Sequence, residues 1–234
     1  MKFKSILLSQ ASGSLAGTTF SHNRGGMYTR ARATPVNPNT IQQQLIRSSV
    51  AQLTSLWVDT LTQIQRDSWD LYALNVPLID RLGEPRNVGG IAMYVRSNVP
   101  RLQALLPRVD DGPTIFDLSP YAPHEITLAS EGPQAITIDE VLLPIPPDAF
   151  LSEDGAAYLV FTSRPQNPSI NYFKGPFRFE SAILGDAITP PAFPVIVTTV
   201  FPFVAGQKIF VRANVTRADG RLAVQEFLSA IVVA

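Results

Sequence analysis

The chain has 234 residues with no cysteine, 19 basic and 19 acidic residues, and 45% hydrophobic residues. It is long enough to bury a substantial core, and disulfide bonds, thiolate metal sites and cysteine nucleophiles are excluded. The zero net charge gives no global attraction to nucleic acid or to an anionic membrane, and no apolar run approaches the ~20 residues of a membrane helix.

The charge is divided unevenly along the chain. Residues 1–108 carry 12 basic against 5 acidic side chains, whereas residues 109–234 carry 7 against 14. This division suits head-to-tail contact between copies, or a basic face laid on an acidic partner, and two ordinary domains with unequal surfaces explain it equally well. The amino terminus has lysines before an apolar run that is too short for a signal peptide, so we expect synthesis in the cytoplasm.

Residues 1–36 are predicted to form an N-terminal arm with a β-hairpin. The strand-like runs 18–21 and 27–32 flank the turn sequence Asn-Arg-Gly-Gly at 23–26, where glycine accepts positive φ. Strand alternation then places Tyr28, Arg30 and Arg32 on one face.

Residues 37–108 are predicted to be helical. Apolar residues recur every three or four positions from Ile41, after an N-cap at Asn39 or Thr40, and predict an amphipathic helix. Thr62 and Gln65 have capping-box spacing, so we expect this helix to break near Leu61. A second helix from residue 63 would complete a helical hairpin and end at Pro77, and a third is predicted over 90–98, before Pro100.

Residues 109–123 are interpreted as a linker and residues 124–234 as a β-sandwich domain. Proline-punctuated runs of strand-forming residues recur in this second half, and an Asp-Gly turn at 219–220 separates the last two. Some seven short strands with turns between them are typical of an immunoglobulin- or fibronectin-like antiparallel sandwich. The runs are 125–129, 135–138, 157–163, 176–182, 195–200, 208–216 and 222–232. The predicted fold class is therefore α+β.

The chain contains few residues in patterns that carry catalytic chemistry. His22 and His124 lie about a hundred residues apart, and neither a nucleophile elbow nor a phosphate-binding glycine loop occurs. The carboxylate pairs at 139–140 and 153–154 are not interpreted as a glycosidase pair, because neighbours on a strand point to opposite faces and residues 153–155 are predicted to be a loop. Residues 110–112 and 152–155 lack the ligand periodicity of a calcium loop and are interpreted as solvated turns. We therefore expect no enzyme activity, cofactor or metal site.

The arginines of the arm are the candidate interface. Arg24, Arg30 and Arg32 could contact phosphates, and Tyr28 could stack on a base. The acidic second half of the chain argues against direct contact with nucleic acid. Pairing of Arg24, Tyr28, Arg30 and Arg32 with acceptors on a neighbouring subunit explains the same residues more economically.

A longer pattern in the first third resembles an uncharacterised family of structural proteins from tailed bacteriophages and prophages. The matching elements are Ser12-Gly13, Arg24-Gly25-Gly26 followed by Tyr28, Arg30 and Arg32, then residues 35–40 (Pro-Val-Asn-Pro-Asn-Thr) and a Leu-Thr-x-x-Gln-Arg-x-x-Trp run at 61–69. The chain departs from the pattern at Ala16-Gly17, where two glycines are expected. The resemblance implies a virion protein assembled in the host cytoplasm.

The leading hypothesis is thus a capsid decoration or cement protein that docks through its arm on the major capsid protein or on other virion proteins, as a homo-oligomer. A neck or tail component is the alternative within the virion. A nucleic-acid-binding protein and a carbohydrate-binding module are the alternatives outside it. The latter would need an exposed aromatic platform, for which Tyr158, Tyr172 and Phe173 are candidates that we interpret as core residues.

Overall fold

The structure, a computed structural model, describes residues 12–23, 26–34, 36–79, 84–119, 125–130, 135–141, 150–173, 175–192 and 194–232. Its contacts divide the chain into two compact units, Met1–Gln44 and Leu45–Ala234. The boundary falls inside the first α-helix, so the later helices and the strands after them belong to one unit.

The first unit contains a three-stranded antiparallel sheet in the order β1-β2-β3. Its strands are β1 (Gly13–Leu15), β2 (Thr18–Asn23) and β3 (Gly26–Ala31). The β2–β3 pair confirms the predicted hairpin, although two residues of its turn, 24 and 25, lie outside the described residues. Strand β1 was not predicted because three residues with no apolar alternation carry no strand signal. The Ser14 and Thr19 hydroxyls, 2.9 Å apart, link β1 to β2.

Three helices follow within the described residues, and the starts of the first two agree with the capping signals of the sequence. They are α1 (Ile41–Asp59), α2 (Gln63–Asn75) and α3 (Gly90–Gln103). Thr40 and Gln43 exchange hydrogen bonds of 3.3 Å between side chain and backbone, so Thr40 is the N-cap of α1. Thr62 and Gln65 form the predicted capping box of α2. A two-stranded pair, β4 (Leu78–Ile79) and β5 (Pro85–Arg86), lies between α2 and α3.

The helices pack differently from the predicted hairpin of α1 and α2. The main helix pair is α2 with α3, around the fully buried Trp69, Tyr72 and Tyr94. In α1 the second half contributes Leu53 to this core, while apolar residues at both ends of the predicted face are exposed (Ile41, Leu45, Val50 and Ile64). Helical spacing identified an apolar face correctly but did not determine how much of it would find a partner.

Helix α3 continues through Pro100, where the sequence predicted an end. A proline inside a helix removes one backbone hydrogen bond and clashes with the preceding turn. The last turn is held instead by the next side chain, because Arg101 is 1% exposed and donates to the carbonyl oxygen of Pro107 at 2.9 Å. Tertiary contacts therefore override the local signal at this position.

Seven strands form two antiparallel sheets. One sheet has the order β10-β7-β6 and the other β12-β11-β8-β9. All seven fall on predicted runs: β6 (Glu125–Ser130), β7 (Ala135–Val141), β8 (Ala157–Ser163), β9 (Phe177–Leu184), β10 (Val195–Thr198), β11 (Lys208–Thr216) and β12 (Glu226–Ile231). A 3-10 helix, Phe150–Ser152, precedes β8.

The four-stranded sheet is covered on its inner face and partly covered on its outer face. Its inner face shares one hydrophobic core with the three-stranded sheet, which contributes Ile136 and Val197. Its outer face is partly covered by Ala104 and Leu106, which pack against the cluster of Ala157, Leu159 and Phe161. The fully buried strand β8 results from this double coverage.

The segment interpreted as a linker is tied to α2 and α3 by hydrogen bonds in its first part, residues 109–112, while residues 114–116 are exposed. The Trp69 indole nitrogen donates to the carbonyl oxygen of Asp110 at 2.9 Å. The backbone N–H of Gly112 donates to the Ser68 hydroxyl at 2.8 Å, and Asn98 bonds both backbone groups of Val109. These hydrogen bonds hold the start of the segment against α2 and α3.

Candidate functional site

The predicted interface residues lie on β3 and just beyond it. Tyr28 and Arg30 are paired with residues of β2, and the backbone N–H of Arg32 donates to the carbonyl oxygen of Gly17 at 2.8 Å. The antiparallel ladder therefore extends one step past β3. Because alternate residues of a strand point to the same face, Tyr28, Arg30 and Arg32 share one face. The fourth predicted residue, Arg24, lies outside the described residues.

These side chains have no acidic partner in their own unit. The first carboxylate in the sequence is Asp59, in the second unit. Tyr28 is half-buried, whereas Arg30 and Arg32 are exposed, and neither arginine forms an ion pair or side-chain hydrogen bond within the described residues. Guanidinium groups in this state are suited to bind carboxylate, carbonyl or phosphate oxygens of another molecule.

The residues considered for catalysis are separated or already paired. His22 is exposed at the end of β2, and His124 lies outside the described residues, as do the side chains of the acid pair at 139–140. Glu153 accepts a hydrogen bond from Arg217 at 3.3 Å, and Asp154 accepts one from the backbone N–H of Ala187 at 2.9 Å. Among the described residues, no group of three or more metal-ligating side chains is assembled.

Glu180 is a carboxylate whose pKa burial raises above its usual value. Such a shift is a signature of functional acids, but structural networks produce it as well. Here both oxygens are occupied: the Thr162 hydroxyl donates to Oε1, and the backbone N–H of Val200 donates to Oε2 at 2.8 Å. The geometry indicates a structural role in joining β8, β9 and the end of β10.

A network of buried arginines joins the helices to the strands. Arg101 donates from Nη1 to the Thr216 hydroxyl and to the carbonyl oxygen of Arg217. Arg221 contacts both Asp117 and Asp219 at 2.7 Å. Sequence reasoning missed this network, since its members are spread over more than a hundred residues and none belongs to a local motif.

The outer face of the four-stranded sheet carries an aromatic surface. The strand registers place Phe227, Arg212 and Phe161 side by side on β12, β11 and β8. The ring of Phe173 lies 5.3 Å from those of both Phe210 and Phe227, and Phe177 lies 5.9 Å from Phe227. We call the set Phe161, Phe173, Phe177, Phe210, Arg212 and Phe227 the aromatic face.

Two of the three aromatic residues that were predicted to be core are exposed. Tyr158 is buried, as predicted, but Tyr172 is 63% exposed and Phe173 is 48% exposed. Both lie in the loop between β8 and β9, where the ring of Phe173 contacts those of Phe210 and Phe227. A two-residue turn at Asp219-Gly220 would have predicted that Phe227 pairs with Arg212 on the neighbouring strand. No local signal in the sequence predicts where the loop between β8 and β9 lies.

The second unit also has an open groove, lined by residues 75–77, 116–119 and 223–226. Its carboxylates are Asp117, which is paired with Arg221, and Glu226. Ser119, a second polar residue of the lining, already accepts a hydrogen bond from Arg217, so Asp117 and Ser119 have structural partners.

No family model matches the chain, and no curated protein sequence is similar to it. Among solved structures, the solution structure of the fibronectin type-III domain of human fibronectin type III domain containing protein 3 aligns with 49% of this chain and 85% of that chain. The identity is 12% and the TM-score is 0.28, which is too low to carry an argument. None of the helices in the described residues is long and apolar enough to cross a membrane.

Proposed function

We propose that the chain is a structural protein of a tailed-bacteriophage particle, which decorates or cements the capsid and docks through its N-terminal arm. The observation that carries the proposal is the cationic first unit. Residues 1–44 hold five basic side chains and no acidic one, a net charge of +5, and residues 45–234 hold 14 basic and 19 acidic ones, a net charge of −5. A unit of this composition depends on acceptors from outside itself.

The form of the hairpin supports the docking role. Arg30 and Arg32 are exposed on one face of a small sheet and have no partner in the described residues. Charge-assisted hydrogen bonds to a neighbouring subunit would satisfy them and fix the register of the arm at the same time. The acidic second unit of another copy, or an acidic surface of the major capsid protein, offers suitable acceptors.

We further propose that the two sheets of the second unit form an immunoglobulin- or fibronectin-like sandwich. Support comes from the antiparallel order of both sheets and from the core that they share through Ile136, Val197 and Val211. Such a module would face the outside of the particle while the arm binds the capsid.

A neck or tail component is the alternative, and copy number separates the two. The experiment is a quantitative mass-spectrometric measurement of this chain relative to the major capsid protein in purified particles. Copies on the order of hundreds indicate a capsid protein, and about six or twelve indicate a symmetric ring in the neck or tail. The absence of the chain from particles would contradict both assignments.

A further inference from the structure

The aromatic face has a cation at its centre that lacks a hydrogen-bonding partner. The guanidinium carbon of Arg212 lies 4.3 Å from the ring centroid of Phe161 and 5.3 Å from that of Phe177. Its Nε is buried without a hydrogen bond, and within the described residues no ion pair or hydrogen bond is made by the rest of the group. Most buried polar groups have at least one partner, so this arrangement is unusual.

Arg66 and Arg96 of the same unit also have one buried nitrogen without a partner, but their guanidinium groups donate from another nitrogen to backbone carbonyl oxygens, whereas that of Arg212 does not within the described part of the chain. Arg101, Arg217 and Arg221 all donate to carbonyl or carboxylate oxygens. Burial lowers the pKa of Arg212, and no carboxylate offsets this effect, whereas the bonds of Arg221 to Asp117 and Asp219 outweigh its own burial and raise its pKa. The aromatic rings stabilise the charge of Arg212 but supply no acceptor for its N–H groups.

The surroundings of Arg212 are apolar and partly open. Phe227, which stands directly opposite on the edge strand β12, is 44% exposed, and Phe173 is half-exposed beside it. Tyr172 adds a further exposed ring from the same loop. An occupant of this surface would therefore bury aromatic rings and meet one guanidinium at their centre.

We propose that the aromatic face is a docking site for a partner polypeptide, in which an Asp or Glu side chain flanked by apolar residues binds the guanidinium of Arg212. The planar fork of arginine matches a carboxylate with two parallel hydrogen bonds. The flanking apolar side chains would cover Phe173 and Phe227. The tilted rings, at 50° to 60° to one another, favour the irregular surface of a polypeptide over the flat face of a sugar.

This site is independent of the arm. It lies in the second unit, it includes neither Arg30 nor Arg32, and it does not require that the protein belong to a virion. Failure of one proposal therefore leaves the other standing.

The test is a titration of the full chain followed by the NMR signal of the Arg212 Nε–Hε group, which is assigned by its loss in Arg212→Lys. The probes are two terminally blocked tripeptides, Leu-Glu-Phe and Leu-Gln-Phe, and an oligosaccharide that contains a uronic acid. We expect the glutamate peptide to shift the signal saturably and the glutamine peptide to bind at least tenfold more weakly. The Nε–Hε signal of Arg221, which is already paired, should not move.

Phe227→Ser keeps Arg212 and should weaken binding of the glutamate peptide at least threefold. This result would show that the exposed rings contribute to binding of the peptide. Equal shifts with both peptides, no shift with either, or a shift with the oligosaccharide alone would each overturn the proposal. A shift caused by protein concentration alone would overturn it too, because the occupant would then be a second copy of the chain.

Discussion

Arg101 in α3 donates a hydrogen bond of 2.7 Å to the carbonyl oxygen of Arg217, which directly follows β11. The two residues are 116 positions apart in the sequence, and both are buried. The same guanidinium reaches Thr216 and the carbonyl oxygen of Pro107. One side chain therefore joins α3, the following connection and the end of a central strand into a single unit.

Replacement of Arg101 should destabilise the whole second unit. Arg101→Met keeps much of the volume but leaves two carbonyl oxygens and a hydroxyl without their charged donor. We expect a loss of about 2–4 kcal/mol in the free energy of unfolding, measured by urea denaturation. Arg86→Met, at an exposed position, is the matched control and should change it by less than about 0.5 kcal/mol. A loss below about 1 kcal/mol for Arg101→Met would contradict this role.

Gly112 should tolerate no side chain, because the connection after α3 lies against the backbone of α2. A Cβ at this position would be 2.6 Å from the carbonyl carbon of Ser68 and 2.7 Å from the backbone nitrogen of Trp69. We expect Gly112→Ala to cost about 1–3 kcal/mol in thermal or chemical unfolding. At Gly89, where a Cβ would meet nothing within 4 Å, the same change should cost less than about 1 kcal/mol. Equal effects at the two positions would mean that residues 109–119 are a loose tether.

The Asp117–Arg221 pair should make stability depend on acidity. Partial burial alone would raise the pKa of Asp117, but the bonds from Arg221 and from the Ser119 backbone outweigh it and hold the pKa below its usual value. Because the pKa of Asp117 is lower in the folded protein than in the unfolded chain, where it is about 3.9, the ionised carboxylate stabilises the fold at pH values above about 3.9. This stabilisation is lost as the pH falls through the pKa of the folded protein. The stability difference between the wild type and Asp117→Asn should therefore shrink between about pH 6 and pH 3. A difference that stays constant or widens on acidification would refute the pairing.

The local features of the fold were predictable from the sequence. The capping box of Thr62 and Gln65 forms as predicted, because all of its hydrogen bonds lie within four residues. The turn at Gly220, with φ of +90°, separates the last two strands as its Asp-Gly sequence indicated. Such signals are strong because short-range geometry alone satisfies them.

The features that depend on distant parts of the chain were not predictable. Pro100 lies inside α3 because Arg101 is anchored by groups that follow it in the chain, two of them, on Thr216 and Arg217, more than a hundred residues later. The exposed position of Phe173 and the lack of a partner for Arg212 result from how a loop and four strands meet. These long-range contacts produce no periodic pattern in the sequence, so the aromatic face was not predicted. The interface residues of the hairpin were proposed from the sequence because strand alternation is a local pattern.

The central claim, docking through the arm, is tested most directly by incorporation of Arg30→Ala/Arg32→Ala into particles. Both side chains are exposed and without a partner in the described residues, so the melting temperature of the isolated protein should hardly change. If each arginine makes a charge-assisted bond worth about 1.5–3 kcal/mol at the docking interface, copies per particle should fall at least about tenfold under limiting supply. Arg86→Ala/Arg164→Ala removes the same charge from exposed positions of the second unit and should incorporate normally. Normal incorporation of the arm variant would contradict the docking role, and so would a much lower melting temperature with incorporation retained. Normal incorporation together with a loss of polynucleotide binding would indicate that these arginines bind nucleic acid instead.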